Sequence, residues 1–151
     1  MAITLNTGFL RTVPGILKIL EFILVLIVLL LIRFGDDGKV IYLGHINYQF
    51  LAIGSSVGYA IIVPAIILTY LLGASPSVLE FIINLVGGAL FISMGACIVE
   101  YKDITRIVGG LAIASGILFL IDFIYLCVTT KFTVYHTTRT VQHTTRTHIR
   151  T

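Results

Sequence analysis

Five polar side chains that could carry chemistry interrupt long apolar stretches of this chain: Lys18, Glu21, Glu80, Asn84 and Asp122. Carboxylates in such surroundings can relay protons or cations, so an ionisable group inside a bilayer is by default a functional-site hypothesis. Placing one there costs about 2.5–3.5 kcal/mol on insertion-derived scales. Each of the five therefore needs a hydrogen-bond or ion-pair partner, a position near water, or a functional role that justifies the cost.

Catalytic chemistry has little support in the sequence. There is no H-E-x-x-H, no G-x-S-x-G, no Walker loop and no Cys/His set with metal-ligand spacing. An intramembrane aspartyl protease needs two aspartates at mid-bilayer, and Asp122 alone is available. The adjacent Asp36 and Asp37 lack the spacing of a calcium loop and are typical of a solvated turn. We expect no enzyme, no cofactor and no metal site.

The composition indicates an integral membrane protein. Of 151 residues, 58% are hydrophobic and 11% are charged, with a mean hydropathy of +1.06. A soluble domain carries about 25% charged residues, so this chain lacks the polar surface that would coat a water-soluble core. We expect the lipid bilayer to be its main partner, and no nucleic acid.

Four apolar runs, at about 15–32, 50–72, 78–99 and 107–128, are the elements that must position the polar residues. Each is close to the roughly 20 residues with which a helix crosses a bilayer, and none alternates as a barrel strand does. The first run lacks a small-x-small cleavage site and therefore indicates an uncleaved span. The predicted fold class is an all-α membrane protein with a four-transmembrane-helix bundle.

The loops and the tail complete this organisation. Four spans put both termini on one side of the membrane, and a modest excess of basic residues there predicts the cytoplasm. The first outer loop contains "KVIYLGHINYQF", which is β-branched and aromatic enough to predict a short strand or hairpin. Residues 1–130 form the predicted four-span domain. Residues 131–151 form a basic Thr/Arg/His tail without an acidic residue, which we expect to be disordered.

The five polar residues fall into one layer. Glu21, Asn84 and Asp122 each lie about six residues from the cytoplasmic end of a span, or about 9 Å at the rise of an α-helix. Lys18 and Glu80 lie a turn closer to that end, with a tyrosine of the second span nearby. The sequence thus predicts that three different spans bring polar groups to the same depth.

Three interpretations of this layer remain open. The favoured one is a buried polar cluster that fixes helix register, with Lys18 as the partner of Asp122. In the second, Glu21 and Asp122 relay protons or cations. In the third, Lys18 snorkels to the interface and the other polar side chains are hydrated where the membrane is locally thinned. A relay needs polar groups that continue across the membrane, whereas the outer halves of the spans offer only scattered serines: Ser55, Ser56, Ser93 and Ser115.

Small residues recur at helical spacing in the last three spans. Such faces let helix backbones approach closely where lipid provides no hydrophobic drive between helices. Packing within the bundle itself is the favoured interpretation. Lateral association, with other proteins or with a second copy of this chain, is the alternative. The candidate packing residues are Gly54, Gly58, Gly87, Ala89, Ser93, Gly95, Gly110, Ala114 and Gly116.

The two cysteines fall near opposite membrane faces, Cys97 in the third span and Cys127 in the fourth. We therefore expect no disulfide between them. Cys127 is a candidate palmitoylation site because it is juxtamembrane on the predicted cytoplasmic side. A buried, unreactive thiol is the favoured alternative.

The third and fourth spans, "FIINLVGGALFISMGACIVEYK" and "VGGLAIASGILFLIDFIYLCV", resemble the snakeskin-like family, four-span proteins of insect smooth septate junctions. The most specific points of resemblance are Asn84, Gly87, Gly116 and Asp122 in their contexts. A first span with an early lysine that ends in "IRFG" is also similar. The chain resembles this family over all four spans, as a member or a paralogue.

This resemblance implies a MARVEL-like bundle with a non-enzymatic role in epithelial barriers. It also implies a position in the plasma membrane at cell junctions, beside a tetraspanin and a large single-span protein. The first functional hypothesis is therefore a structural junction protein that associates laterally with other membrane proteins. The second is a small channel or transporter subunit that uses the Glu21/Asp122 layer.

Overall fold

The computed structural model describes residues 7–35, 41, 43, 45–74, 77–99 and 104–148. A short 3-10 helix, η1 (Thr7–Arg11), precedes four α-helices: α1 (Val13–Phe34), α2 (Ile46–Leu71), α3 (Ser77–Ile98) and α4 (Ile104–His148). Four segments are long and apolar enough to cross a membrane: Val13–Phe34, Ile46–Leu71, Val78–Ile98 and Ile104–Thr129. The predicted four-helix membrane bundle is confirmed, and the span boundaries differ from the predicted ones by at most four residues.

Local sequence explains where α1 begins. Thr12 is the N-cap, and its hydroxyl accepts a hydrogen bond from the Gly15 amide at 3.4 Å. The same hydroxyl donates to the Phe9 carbonyl at 2.6 Å, which ties η1 to the start of α1. Pro14 stands in the first turn, where its missing N–H leaves no helical bond unmade.

The strand or hairpin predicted in the first outer loop is wrong where the structure describes it. α2 begins at Ile46, inside that stretch, and His45 caps it by accepting a hydrogen bond at Nδ1 from the Asn47 amide at 3.2 Å. A longer helix makes its backbone hydrogen bonds within one segment, and a bilayer favours this over an isolated strand. Asp36 and Asp37 lie outside the described residues.

The fourth helix is longer than its membrane span, and disorder of the tail stays a prediction. Its backbone continues from the span to His148, through most of the segment that we expect to be disordered. Elongation of an existing helix adds one hydrogen bond per residue without a new nucleation cost.

Each helix contacts two neighbours, in the order α1–α2–α3–α4 and back to α1, and α3 and α4 make the closest approach. Glycine permits that approach. A Cβ at Gly95 would lie 2.6 Å from the Gly109 carbonyl oxygen, and one at Gly116 would lie 2.9 Å from the Ile92 amide nitrogen. Gly87 in turn leaves room for the Tyr59 ring, which would lie 2.6 Å from an added Cβ.

The other predicted packing residues face outward, which corrects the favoured interpretation for that set. A Cβ at Gly54, Gly58 or Gly110 would meet nothing within 4 Å. Spans that are apolar all round carry no periodic signal for their inner face, so two adjacent small-residue ridges on α3 were indistinguishable in sequence. The remaining outward-facing members, all exposed, are Ala89, Ser93 and Ala114.

Candidate functional site: a buried lysine cluster

Lys18 and Glu21 share the buried face of α1 with the residues that form its core contacts. The buried positions recur every three or four residues, so the two polar side chains cannot leave the interior unless the whole helix turns. They belong to the series Gly15, Lys18, Glu21, Val25, Val28 and Ile32. Packing of the valines thus commits an ammonium group and a carboxyl group to the interior.

Every donor of the Lys18 ammonium group is used. Nζ donates to Glu21 Oε2 at 2.8 Å, to Asn84 Oδ1 at 2.6 Å and to Asp122 Oδ2 at 2.5 Å. An ammonium group has three N–H donors, and here each one meets an acceptor from a different helix: α1, α3 and α4. All four side chains are fully buried. The structure therefore brings Lys18 and Asp122 together, with two further partners.

Asn84 fixes the orientation of this arrangement. Its Oδ1 accepts from Lys18, and its Nδ2 donates to Asp122 Oδ2 at 2.8 Å. Asp122 Oδ2 thus receives two hydrogen bonds, one of them charge-assisted. The amide ties α3 to α4 at the depth where Lys18 enters from α1.

Glu80 joins the cluster from α3 in a different way. Its Oε1 lies 3.4 Å from Lys18 Nζ and has no hydrogen-bond partner. Its Oε2 is hydrogen-bonded to the Tyr70 hydroxyl, which brings α2 into contact with the cluster. The Tyr70 ring stacks on Phe9, with centroids 4.2 Å apart and planes at 8°. η1 therefore packs against the tyrosine side of the cluster, a contact that no sequence signal indicated.

The cluster contains one cation and three acids: Lys18 against Glu21, Glu80 and Asp122. With every group ionised its formal charge is −2, since one positive charge faces three negative ones. Each acid also keeps one buried oxygen without a hydrogen-bond partner: Glu21 Oε1, Glu80 Oε1 and Asp122 Oδ1. Among the described residues, no group of three or more His, Cys, Asp and Glu side chains could hold a metal ion.

A layer of aromatic rings packs next to the cluster, on the side that faces the other end of the bundle. The Phe119 ring centroid lies 5.9 Å from Lys18 Nζ. Tyr59 packs edge-on against Phe119 and Phe91, at centroid distances of 5.2 and 5.5 Å, and donates its hydroxyl hydrogen to the Ile83 carbonyl at 2.8 Å. Sequence reasoning missed this layer, because three separate spans contribute one ring each.

Beyond the aromatic layer, the described interior continues with apolar side chains, among them Val28, Ile32, Met94 and Ile98. The serines there do not form a chain. Ser115 donates to its own helix at Leu111, and the buried Ser56 hydroxyl has no hydrogen-bond partner. In the part of the chain that the structure describes, polar groups thus do not continue from the cluster across the bundle.

The cysteines are half-buried and unbonded: Cys97 lies near the end of α3, and Cys127 lies near the end of the fourth span. Palmitoylation of Cys127 stays a prediction.

Comparisons of the chain with protein-family models, with curated proteins and with solved structures find no match.

Proposed function

We propose that this protein is a structural membrane protein that acts by lateral association with other membrane proteins. The observation that carries the proposal is the closed cluster around Lys18. Its three hydrogen bonds link α1, α3 and α4, while Tyr70 connects α2 through Glu80. Buried polar groups satisfied in this way hold neighbouring helices in one register. Such a bundle is suited to present fixed outer faces.

The outer faces supply surfaces for association. Gly54 and Gly58 lie one turn apart on α2, with open space beside them. Gly110 on α4 also has open space beside it. Small residues at this spacing allow a second helix to approach closely in lipid. We assign the setting, a smooth septate junction in an epithelial plasma membrane, on the resemblance to the snakeskin-like family. The partners that this resemblance implies are a tetraspanin and a large single-span protein.

The alternative, a channel or transporter subunit that uses Glu21 and Asp122, has weaker support. A conducting route needs polar or hydrated groups on both sides of the cluster. On one side stand the rings of Tyr59, Phe91 and Phe119. Flux through reconstituted protein that Asp122→Asn abolishes, with the fold intact, would favour the transport function instead.

Localisation and depletion in a gut-type epithelium test the junction assignment. A tagged chain is expected at the lateral cell contacts, and its depletion is expected to raise paracellular permeability. Diffuse intracellular staining together with an intact barrier after depletion would refute the assignment.

A pair of α2 variants tests lateral association separately. Gly54→Leu with Gly58→Leu adds bulk in open space, so the bundle is expected to fold while cross-linking to neighbouring membrane proteins falls. Val57→Leu is the matched control, because Val57 is exposed on the same helix and already carries a large side chain. Equal cross-linking of the wild-type protein, the double glycine variant and Val57→Leu would exclude this face of α2 as a contact surface.

A further inference from the structure

The hydrogen bonds of the cluster are distributed unequally among its three acids. Asp122 accepts from both Lys18 and Asn84, and Glu21 accepts from Lys18. Glu80 receives no hydrogen from the ammonium group, whose three donors are already used; its Oε1 lies 3.4 Å from Nζ without a hydrogen bond. Its one hydrogen-bond partner is the neutral phenol of Tyr70, whose hydroxyl donates to Oε2.

This difference in hydrogen bonding indicates which of the three acids is least stabilised in its ionised form. A buried carboxylate is held ionised by charge-assisted hydrogen bonds and by a nearby cation. Without them, a buried acid avoids the cost of desolvating its charge by keeping its proton. A cluster with a formal charge of −2 lowers that cost by taking up protons. Glu80 has the weakest contact with the cation, because its carboxyl oxygen lies 3.4 Å from Lys18 Nζ, against 2.8 Å for Glu21 and 2.5 Å for Asp122.

We propose that Glu80 is a proton-binding site, held as a neutral carboxylic acid against Tyr70, and that this acid is open to covalent addition of a hydrophobic carbodiimide. In the structure the Tyr70 hydroxyl donates to Oε2. In the neutral form this hydrogen bond is reversed, so that Oε2–H donates to the phenol oxygen and Oε1 is the carbonyl oxygen that faces the ammonium group. In this form the partial negative charge of Oε1 is attracted by the Lys18 ammonium group, and Lys18 does not need a fourth N–H donor. Among the residues that the structure describes, the charged or titratable groups that face Glu80 are Lys18 and Glu21 from α1, Tyr70 from α2 and Asp122 from α4.

The carbodiimide reaction is specific for the protonated form of an acid. The carboxyl proton moves to one nitrogen of the reagent while the carboxyl oxygen bonds to its central carbon, which gives an O-acylisourea. The acyl group then migrates to nitrogen and leaves a stable N-acylurea, so the whole reagent is added and nothing departs. An ionised carboxylate next to a bound ammonium group lacks the proton that the first step needs.

Infrared spectroscopy of the full chain in lipid vesicles is the first test. A protonated carboxyl group has a carbonyl-stretch band separate from the bands of carboxylates. The wild-type protein is expected to show such a band at neutral pH, and Glu80→Gln is expected to remove it. Asp122→Asn is the matched control and is expected to leave that band in place. A wild-type spectrum without the band, or a band that survives Glu80→Gln, would overturn the proposal.

Two further readouts guard against a folding artefact. Glutamine matches a neutral acid in shape, so Glu80→Gln is expected to leave bundle stability nearly unchanged. Tyr70→Phe keeps the ring that stacks on Phe9 but removes the phenol oxygen, so it is expected to shift the Glu80 band without abolishing it. A band that Tyr70→Phe leaves unshifted would show that the proton does not lie in this contact.

Labelling of the same vesicles with dicyclohexylcarbodiimide, mapped by mass spectrometry, is the second test. The adduct is expected on Glu80, at a rate at least about tenfold above that of Asp122, which corresponds to about 1.4 kcal/mol. Phe9→Ala is expected to speed the labelling, because η1 packs over the tyrosine side of the site. Preferential labelling of Asp122 or Glu21, or labelling of none of the three in Phe9→Ala, would contradict the assignment.

Discussion

The replacement of Lys18 by methionine is the sharpest perturbation of this bundle. Methionine keeps a long unbranched side chain but removes the cluster's cation and its three hydrogen bonds, at 2.5–2.8 Å. Two of these bonds, to Asn84 and Asp122, join different helices. Side-chain hydrogen bonds between helices in membranes average about 0.6 kcal/mol and reach about 1.7, so the two contribute about 1–3 kcal/mol. Loss of one partner of a buried ion pair costs about 3–5 kcal/mol. We therefore expect Lys18→Met to lower the free energy of unfolding by about 3–5 kcal/mol.

Asp122→Asn is expected to cost less, about 1–3 kcal/mol. Asparagine has nearly the same shape, and Lys18 retains Glu21 and Asn84 as acceptors. In a protein that already lacks Lys18, Asp122 has lost its counterion, so the same change is expected to be neutral or stabilising. The double variant should therefore be more stable than the sum of the single losses predicts, by about 1–3 kcal/mol.

Unfolding in mixed micelles by titration with dodecyl sulfate, followed by far-ultraviolet circular dichroism, measures these differences. Ile121→Met is the control for a methionine on an outward face, since Ile121 is 49% exposed. Losses that add to within about 0.5 kcal/mol would refute direct coupling of the two residues. A Lys18→Met protein as stable as the Ile121→Met control would refute the central role of the ammonium group.

Three further predictions concern packing. Gly116→Val, at the α3–α4 contact, should cost about 1–3 kcal/mol by overpacking, whereas Gly110→Val should fold normally because its Cβ position is open; the same dodecyl sulfate titration compares them. Phe119→Ala should cost about 3–5 kcal/mol, and the exposed Phe50→Ala should change little; equal losses would contradict a stabilising aromatic layer. Gly15→Ala should displace η1, because its Cβ would lie 2.2 Å from a carbonyl oxygen of that helix; faster amide exchange over η1, with the four spans protected, is the expected result.

Much of the cluster could be anticipated by counting residues along the chain. The rise of an α-helix is fixed, so the number of residues from the span ends already put Glu21, Asn84 and Asp122 at one depth. The rotation of each helix about its axis could not be counted in this way. On α3 the choice between the Gly87 ridge and the Ala89 ridge depends on the bulk of Tyr59, which belongs to another span.

The sequence by itself determined that four helices cross a bilayer and at what depth their polar groups lie. Lipid offers the backbone no hydrogen bonds, so an apolar run of this length must satisfy its own as a helix. The tertiary structure alone decided which groups touch. In the structure Lys18 donates to three acceptors, Glu80 is hydrogen-bonded to Tyr70, and the Phe119 ring packs near the Lys18 ammonium group. Those pairings depend on helix rotation and side-chain packing, which side chains distant in the chain set together.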